Sequence, residues 1–152
     1  MKTKVAYMFT LLVFILASCG GKQGQVEQSP EQTEPADPYL AWETNKGIGP
    51  VKALDLPASV DQQLAEKGME VYTSKCSACH KPDKKFIGPP PKDILTRRTA
   101  EWVMNMILNP EVMIAEDPIA KKLMIEYNGA PMANQNLTEE EARAVLEYFR
   151  TL

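Results

Sequence analysis

The sequence of 152 residues contains a single histidine, and it directly follows a pair of closely spaced cysteines in Cys76-Ser77-Ala78-Cys79-His80. The third cysteine, Cys19, lies far away near the N-terminus. Chemistry that needs two histidines is therefore excluded, and a structural zinc site would lack the four Cys or His ligands it normally uses. A thioredoxin-like dithiol is disfavoured because it accompanies alternating strands and helices, and no segment of this sequence sustains a two-residue apolar period.

The C-x-x-C-H spacing is typical of covalent haem c attachment. One helical turn places the two sulfurs beside two vinyl groups of one porphyrin, while the adjacent imidazole of His80 is directed at the iron. A disulfide between Cys76 and Cys79 is compatible with an oxidising compartment, but it leaves His80 without a role. The sequence therefore predicts one covalent haem c, with thioether bonds from Cys76 and Cys79 and with His80 as the proximal ligand.

The first 18 residues have the composition of a targeting segment. Lys2 and Lys4 precede an apolar run over residues 5–17, which is shorter than the about 20 residues of a membrane-spanning helix. The small residues before Cys19 resemble the lipobox of bacterial lipoproteins. We predict a signal peptide over residues 1–18 and lipidation of Cys19, and the alternative is an ordinary signal peptide with a chance cysteine at its cleavage point.

The segment after Cys19 is rich in Pro, Gly and Glu and has too few apolar residues to form a core. We interpret residues 19–50 as a flexible tether of about 30 residues, with a root-mean-square reach on the order of 30 Å. Residues 39–57 are more apolar but contain Gly47-Ile48-Gly49-Pro50, which predicts an irregular strap lying against the domain. The compact domain is predicted over residues 51–152, with its helical core over about 58–152.

Apolar residues recur at helical spacing in four segments of this domain, so we predict an all-α fold. Gly68 lies inside the first segment, where glycine costs about 1 kcal/mol relative to alanine, and a close helix crossing would explain it. The four predicted helices are residues 60–72 after a Ser59 cap, a helix after Thr99 that ends before Pro110, residues 118–127, and a C-terminal helix with a Thr138–Glu141 capping box.

Several methionines are candidates for the second axial iron ligand. Met69, Met104, Met106 and Met124 lie in helical stretches, where methionine is typically a flexible core residue. Met113 lies in a less regular stretch, so it is harder to dismiss as an iron ligand. Met132 lies in the loop of residues 128–137, and a loop can bring a thioether over a flat cofactor more easily than a helix face can.

The order of these features resembles that of class I monohaem cytochromes c over residues 58–152. The resemblance implies a small helical domain wrapped around the haem, with His80 and Met132 as axial ligands and helices that cross at Gly68 against Tyr72, Tyr148 or Phe149. It also implies that a proline carbonyl, from Pro89 or Pro90, accepts the other imidazole N–H of His80. The further candidate haem contacts, to the propionates, are Arg97, Arg98 and Trp102, although Trp102 is equally well explained as a core residue.

Histidine and methionine ligands favour reduced iron and keep small molecules away from it, so we expect a one-electron carrier and not an enzyme. The alternatives are a haem-based sensor or gas-binding module with a labile sixth ligand, and a fixed haem subunit of a larger redox complex. A haem peroxidase is disfavoured because bacterial cytochrome c peroxidases resemble chains with two haems, and this chain has one motif.

The expected partners are redox proteins that donate or accept electrons. Residues 47–50 and 87–91, together with Arg97 and Arg98, resemble lipoprotein cytochromes that accompany nitrous-oxide reductase, and a terminal oxidase is an equal candidate. Residues 75–98 carry a local excess of positive charge on a chain of formal net charge −3, which suits either an acidic partner or a solvated face. We expect no nucleic-acid partner, and we expect lipid anchoring to the cell membrane or outer membrane on the extracytoplasmic side. The residue after Cys19 is Gly20 and not the aspartate that is associated with retention at the inner membrane. We therefore expect the outer membrane where there is one.

Overall fold

The computed structural model describes residues 37–152, and all regular structure in this range is helical. The predicted signal peptide, Cys19 and residues 19–36 of the predicted tether lie outside it. None of the helices that it does describe has the length and apolar character needed to cross a bilayer. The all-α prediction is confirmed. The elements are 3-10 helices at Pro38–Thr44 and Ile94–Thr96, and the α-helices α1 Gln62–Lys75, α2 Ala100–Leu108, α3 Pro110–Glu116, α4 Pro118–Glu126 and α5 Glu139–Phe149.

Helices α1 and α5 cross closely at Gly68, as the sequence predicts. A Cβ atom at residue 68 would lie 1.9 Å from the carbonyl oxygen of Ala144 in α5, so only glycine permits this distance. Next to the crossing, the Tyr72 ring centroid lies 5.2 Å from that of Tyr148 and 5.9 Å from that of Phe149. Aromatic contacts of this kind stabilise the crossing beyond the burial of their surface.

The capping residues fix where the helices begin. Thr138 and Glu141 form the predicted capping box of α5, and the Thr99 side chain accepts the Trp102 N–H at the start of α2. The predicted Ser59 cap of α1 is wrong, because Asp61 caps the helix by accepting the Leu64 N–H at 3.0 Å. Helix α3 was not predicted, although Pro110 at its first position is compatible with a helix start.

A buried carboxylate connects the start of α1 with the end of α5. The Asp61 N–H donates to Glu147 Oε1 at 2.8 Å, and Glu147 also pairs with Arg143 and Arg150. Burial would raise the pKa of Glu147, but the hydrogen bonds from Asp61, Arg143 and Arg150 hold this pKa below its ordinary value. The carboxylate therefore stays ionised at neutral pH, and it holds the N-cap residue Asp61 against the end of α5.

Residues 37–57, which we call the strap, lie against the domain. The buried Asn105 side chain accepts the Val51 N–H at 3.0 Å and donates to the carbonyls of Lys46 and Val51 at 2.8 and 2.9 Å. A Cβ atom at Gly49 would lie 2.3 Å from Asn105 Oδ1, so the strap approaches this side chain closely. The predicted strap position is correct, but its first residues form a 3-10 helix. Within the predicted tether, the Lys46 carbonyl accepts a hydrogen bond from the buried Asn105 amide, so this part of the chain contacts the domain.

We expect Gly68→Ala to destabilise the domain by about 1–3 kcal/mol or more, despite the better helix propensity of alanine, because the added methyl overlaps the Ala144 carbonyl. Thermal or denaturant unfolding of the haem-loaded protein measures the effect. Glu70→Ala, at an exposed position of the same helix, is the matched control and should change stability by less than about 0.5 kcal/mol. A Gly68→Ala protein of unchanged stability would contradict the close crossing.

Candidate haem site

The C-x-x-C-H motif begins where α1 ends. Cys76 is the C-cap residue of α1, and its N–H donates to the Tyr72 carbonyl at 2.9 Å. The Cys76 carbonyl then accepts the N–H groups of Cys79 and His80 at 3.0 and 2.9 Å. The chain therefore continues for one more turn, which brings Cys76, Cys79 and His80 to the wall of one cavity.

Backbone groups on both sides fix the position of His80. Its Nδ1 lies 2.8 Å from the Pro89 carbonyl oxygen, while the Pro90 carbonyl accepts from Arg97 Nη2 at 2.7 Å. Because a carbonyl only accepts hydrogen bonds, Nδ1 carries the proton and Nε2 is left as a metal ligand. The Tyr72 hydroxyl donates to the His80 carbonyl at 2.7 Å.

Gly88 gives the imidazole its space. A Cβ atom at residue 88 would lie 2.3 Å from His80 Cε1, so any side chain there would displace the ring. The Gly88 N–H donates to the Cys79 carbonyl at 2.9 Å, which joins the loop after the motif to the motif itself. The glycine and the following proline thus act together on the orientation of His80.

The cavity has the lining that a haem requires. It is open to solvent on one side, and its walls are mainly apolar. Cys76 and Cys79 are not joined in a disulfide, and burial followed by the neighbouring Cys79 raises the pKa of Cys76 to about 11. A redox-active cysteine instead has a lowered pKa. The residues present therefore fit a porphyrin. Its apolar walls include Ile87, Ile94, Val103, Ile107, Leu123 and Val145.

Met132 lines the same cavity from the segment between α4 and α5. Asn128 and Gly129 adopt left-handed backbone conformations, with φ of 61° and 73°, which end the helical path after α4. The following residues up to Thr138 are outside any helix. This agrees with the loop that the sequence predicts around Met132.

The other methionines divide into two groups. Met106 and Met124 line the cavity from α2 and α4, whereas the cavity lining within residues 37–152 does not include Met69, Met104 or Met113. The idea that Met113 lies in an irregular stretch is wrong. It is fully buried in α3, and its sulfur accepts the Ile48 N–H at 3.0 Å, so it is a core residue that holds the strap.

The three candidate propionate contacts all line the cavity but differ in their partners. The Arg97 guanidinium donates to the carbonyls of Pro90, Lys92 and Asp93. The Trp102 indole N–H donates to Asp117 Oδ1 at 3.1 Å, so a propionate contact would require this bond to break. Arg98 is 6% exposed, and its Nε has no hydrogen-bond partner among the described residues. Of the three, Arg98 has the donor that is most available to an anion in the cavity.

Sequence reasoning missed Asp117 and Tyr39. Buried Asp117 accepts hydrogen bonds from Trp102, from Asn45 in the strap and from the Ala120 N–H. Its place directly before Pro118 is a helix-cap signal that could have drawn attention to it. The position of Tyr39 against Arg98 depends on the path of the strap, for which the sequence contains no local signal.

Comparisons with known proteins agree with this site. The family model for cytochrome c matches residues 65–152. Cytochrome c-551 of Stutzerimonas stutzeri is 30% identical over 108 residues, which cover 68% of this chain and 93% of that protein. A cytochrome c structure from Rhodothermus marinus is 43% identical, with a TM-score of 0.66, and covers 76% of this chain and 95% of that chain. An engineered form of it, bound to a carbene intermediate, is 42% identical, with a TM-score of 0.63 and coverage of 76% and 96%.

The chain therefore belongs to the cytochrome c family. It carries covalently attached haem c, its role is that of an electron carrier, and Cys76 and Cys79 lie in the expected attachment motif. When bound, haem supplies a one-electron couple between ferrous and ferric iron.

Proposed function

We propose that the protein is a membrane-anchored one-electron carrier that has His80 and Met132 as axial iron ligands and serves a respiratory reductase or oxidase. The observation that carries the proposal is the shared cavity of these two side chains, with His80 Nδ1 bound to Pro89 so that Nε2 is available to iron. The anchor and the partner class rest on the sequence features described above.

The backbone context favours Met132 over the other cavity methionines. Met106 and Met124 belong to α2 and α4, where helical hydrogen bonds fix the backbone, and the Met124 carbonyl also accepts the Gly129 N–H at 2.8 Å. Met132 lies in a non-helical segment after a left-handed turn, so its thioether can approach a bound cofactor with little change elsewhere.

This arrangement suits electron transfer because it disfavours other chemistry. Two strong axial ligands exclude small molecules from the iron, and a thioether ligand in an apolar cavity favours the reduced state. Pro89 and Gly88 hold the imidazole in one orientation. The protein groups around the site therefore need little rearrangement when the charge of the iron changes.

The surface near the cavity supports docking of an acidic redox partner. Phe86 and Ile87 are 48% and 49% exposed, and Ile87 also lines the cavity. Lys81 lies over the Phe86 ring at 4.9 Å, and Lys84 is exposed nearby in the sequence. An apolar centre with surrounding lysines suits a transient encounter whose rate falls as salt increases. Nitrous-oxide reductase and a terminal oxidase remain the two partner candidates, and stable co-purification would instead indicate a fixed subunit of a larger complex.

We expect Met132→Ala to abolish the weak red absorption band of sulfur-to-iron coordination. We also expect the midpoint potential to fall by more than about 59 mV, a tenfold change for a one-electron couple, because the thioether stabilises reduced iron. Visible spectroscopy and a redox titration of the haem-loaded protein measure both effects.

Met124→Ala and Met113→Ala are the matched controls for ligation, since one lies in the cavity wall and the other in the core. Both variants should keep the red band. Retention of the band in Met132→Ala, or its loss in Met124→Ala, would assign the ligand elsewhere. A wild-type protein that exchanges its sixth ligand for added small molecules would favour the sensor alternative.

We expect Cys19→Ser to release the mature protein from the membrane fraction into the soluble extracytoplasmic fraction, because acylation at Cys19 is the proposed anchor. Cell fractionation and the mass of the mature N-terminus measure this. Ser18→Ala keeps a small residue before Cys19 and is the control. A Cys19→Ser protein that remains membrane-bound would contradict the anchor without affecting the haem site.

A further inference from the structure

Tyr39 of the strap covers one face of a buried arginine in the haem cavity wall. The Arg98 guanidinium carbon lies 4.8 Å from the Tyr39 ring centroid and 5.2 Å from the Trp102 ring on α2. Both Tyr39 and its 3-10 helix, Pro38–Thr44, precede the region that matches the family model. The strap therefore contacts the haem cavity wall through a residue that lies outside the region matched by the family model.

Groups from α4 and the strap hold the Tyr39 ring in place. The Tyr39 hydroxyl donates to Glu126 Oε2 at 3.0 Å. On the ring, Lys122 Nζ lies 4.1 Å from the centroid and also pairs with Asp37 Oδ1 at 2.9 Å. The ring thus contacts two cations, of which Lys122 is at the surface and Arg98 lines the haem cavity.

Arg98 is a buried charge without an ion-pair partner among the residues that the structure describes. No carboxylate in residues 37–152 lies within 4.0 Å of its guanidinium nitrogens, and its buried Nε has no acceptor there. Its Nη1 donates to the Arg97 carbonyl. Burial lowers the pKa of Arg98 from its ordinary value, and a desolvated charge of this kind is costly unless nearby π faces or an anion stabilise it.

We propose that Tyr39 is a positioning residue that excludes water from the Arg98 guanidinium and thereby raises the midpoint potential of the haem. A positive charge near the iron disfavours the oxidised state, which carries one more positive charge than the reduced state. The effect grows as the local dielectric constant falls, so the charge acts most strongly when the ring keeps water away. This deepens the proposed electron-carrier function, since the strap then sets the driving force for electron transfer.

The experiment is a redox titration of haem-loaded Tyr39→Ala, Arg98→Leu and the double variant. Each single variant should show a downward shift of the potential, and the double variant should match Arg98→Leu, because Tyr39 acts through Arg98. Lys121→Met is the matched control, since it removes an exposed positive charge from α4 at a residue outside the group that holds the Tyr39 ring, and it should leave the potential nearly unchanged.

A folded Tyr39→Ala protein with an unchanged potential would overturn the proposal. So would an equal downward shift from Tyr39→Ala in the Arg98→Leu background, or an equal shift in Lys121→Met. If Tyr39→Ala does not retain haem, Tyr39→Leu replaces it, with a smaller downward shift expected and an unchanged potential contradicting the proposal.

A second measurement tests the exclusion of water directly. The Nε–H of Arg98 is buried, so its exchange with solvent, followed by nuclear magnetic resonance, should be slow in the wild type and in Tyr39→Phe, which keeps the ring. It should be faster in Tyr39→Ala, and equal exchange in all three would contradict the proposal. Retention of the red absorption band in the variants separates this inference from the assignment of Met132.

Discussion

The close crossing of α1 and α5 at Gly68 is the contact on which the site depends. It fixes α1 against α5, and the C-cap of α1 is Cys76, the first residue of the attachment motif. Tyr72 connects the two regions, because its ring packs against Phe149 in α5 and its hydroxyl donates to the His80 carbonyl. A change in the crossing would therefore move the histidine.

Buried polar side chains attach the strap, on the N-terminal side, to the helical domain. Asn105 forms hydrogen bonds with the backbone of Lys46 and Val51, and Asp117 joins Asn45 to Trp102. Because unpaired buried amides and carboxylates are costly, these bonds hold the strap in one path. The strap in turn places Tyr39 against Arg98 in the cavity wall.

The features that the sequence predicted correctly have local causes. The Thr138–Glu141 capping box depends on atoms three residues apart, and the glycine inside α1 indicated a crossing before its partner was known. The attachment motif is likewise contiguous. Such signals need no knowledge of the rest of the fold.

The errors concern contacts between segments that are far apart in the sequence. The Ser59 cap is an exception, because Asp61 caps α1 through a local bond to Leu64, although the Asp61 backbone is also held by distant Glu147. Met113 was kept as a candidate ligand because its helix is short and its partner, Ile48, belongs to the strap. The contact of Arg98 with Tyr39 likewise joins residues that are about sixty positions apart.

The central claim is that the polypeptide carries a tetrapyrrole bound through two thioether linkages at the end of α1. Intact-mass spectrometry under denaturing conditions, on protein made with cytochrome c maturation machinery, tests it most directly. The account predicts a mass that exceeds that of the mature chain by one haem, together with no titratable thiol at Cys76 or Cys79. A chain mass without porphyrin, with both thiols free, would contradict it.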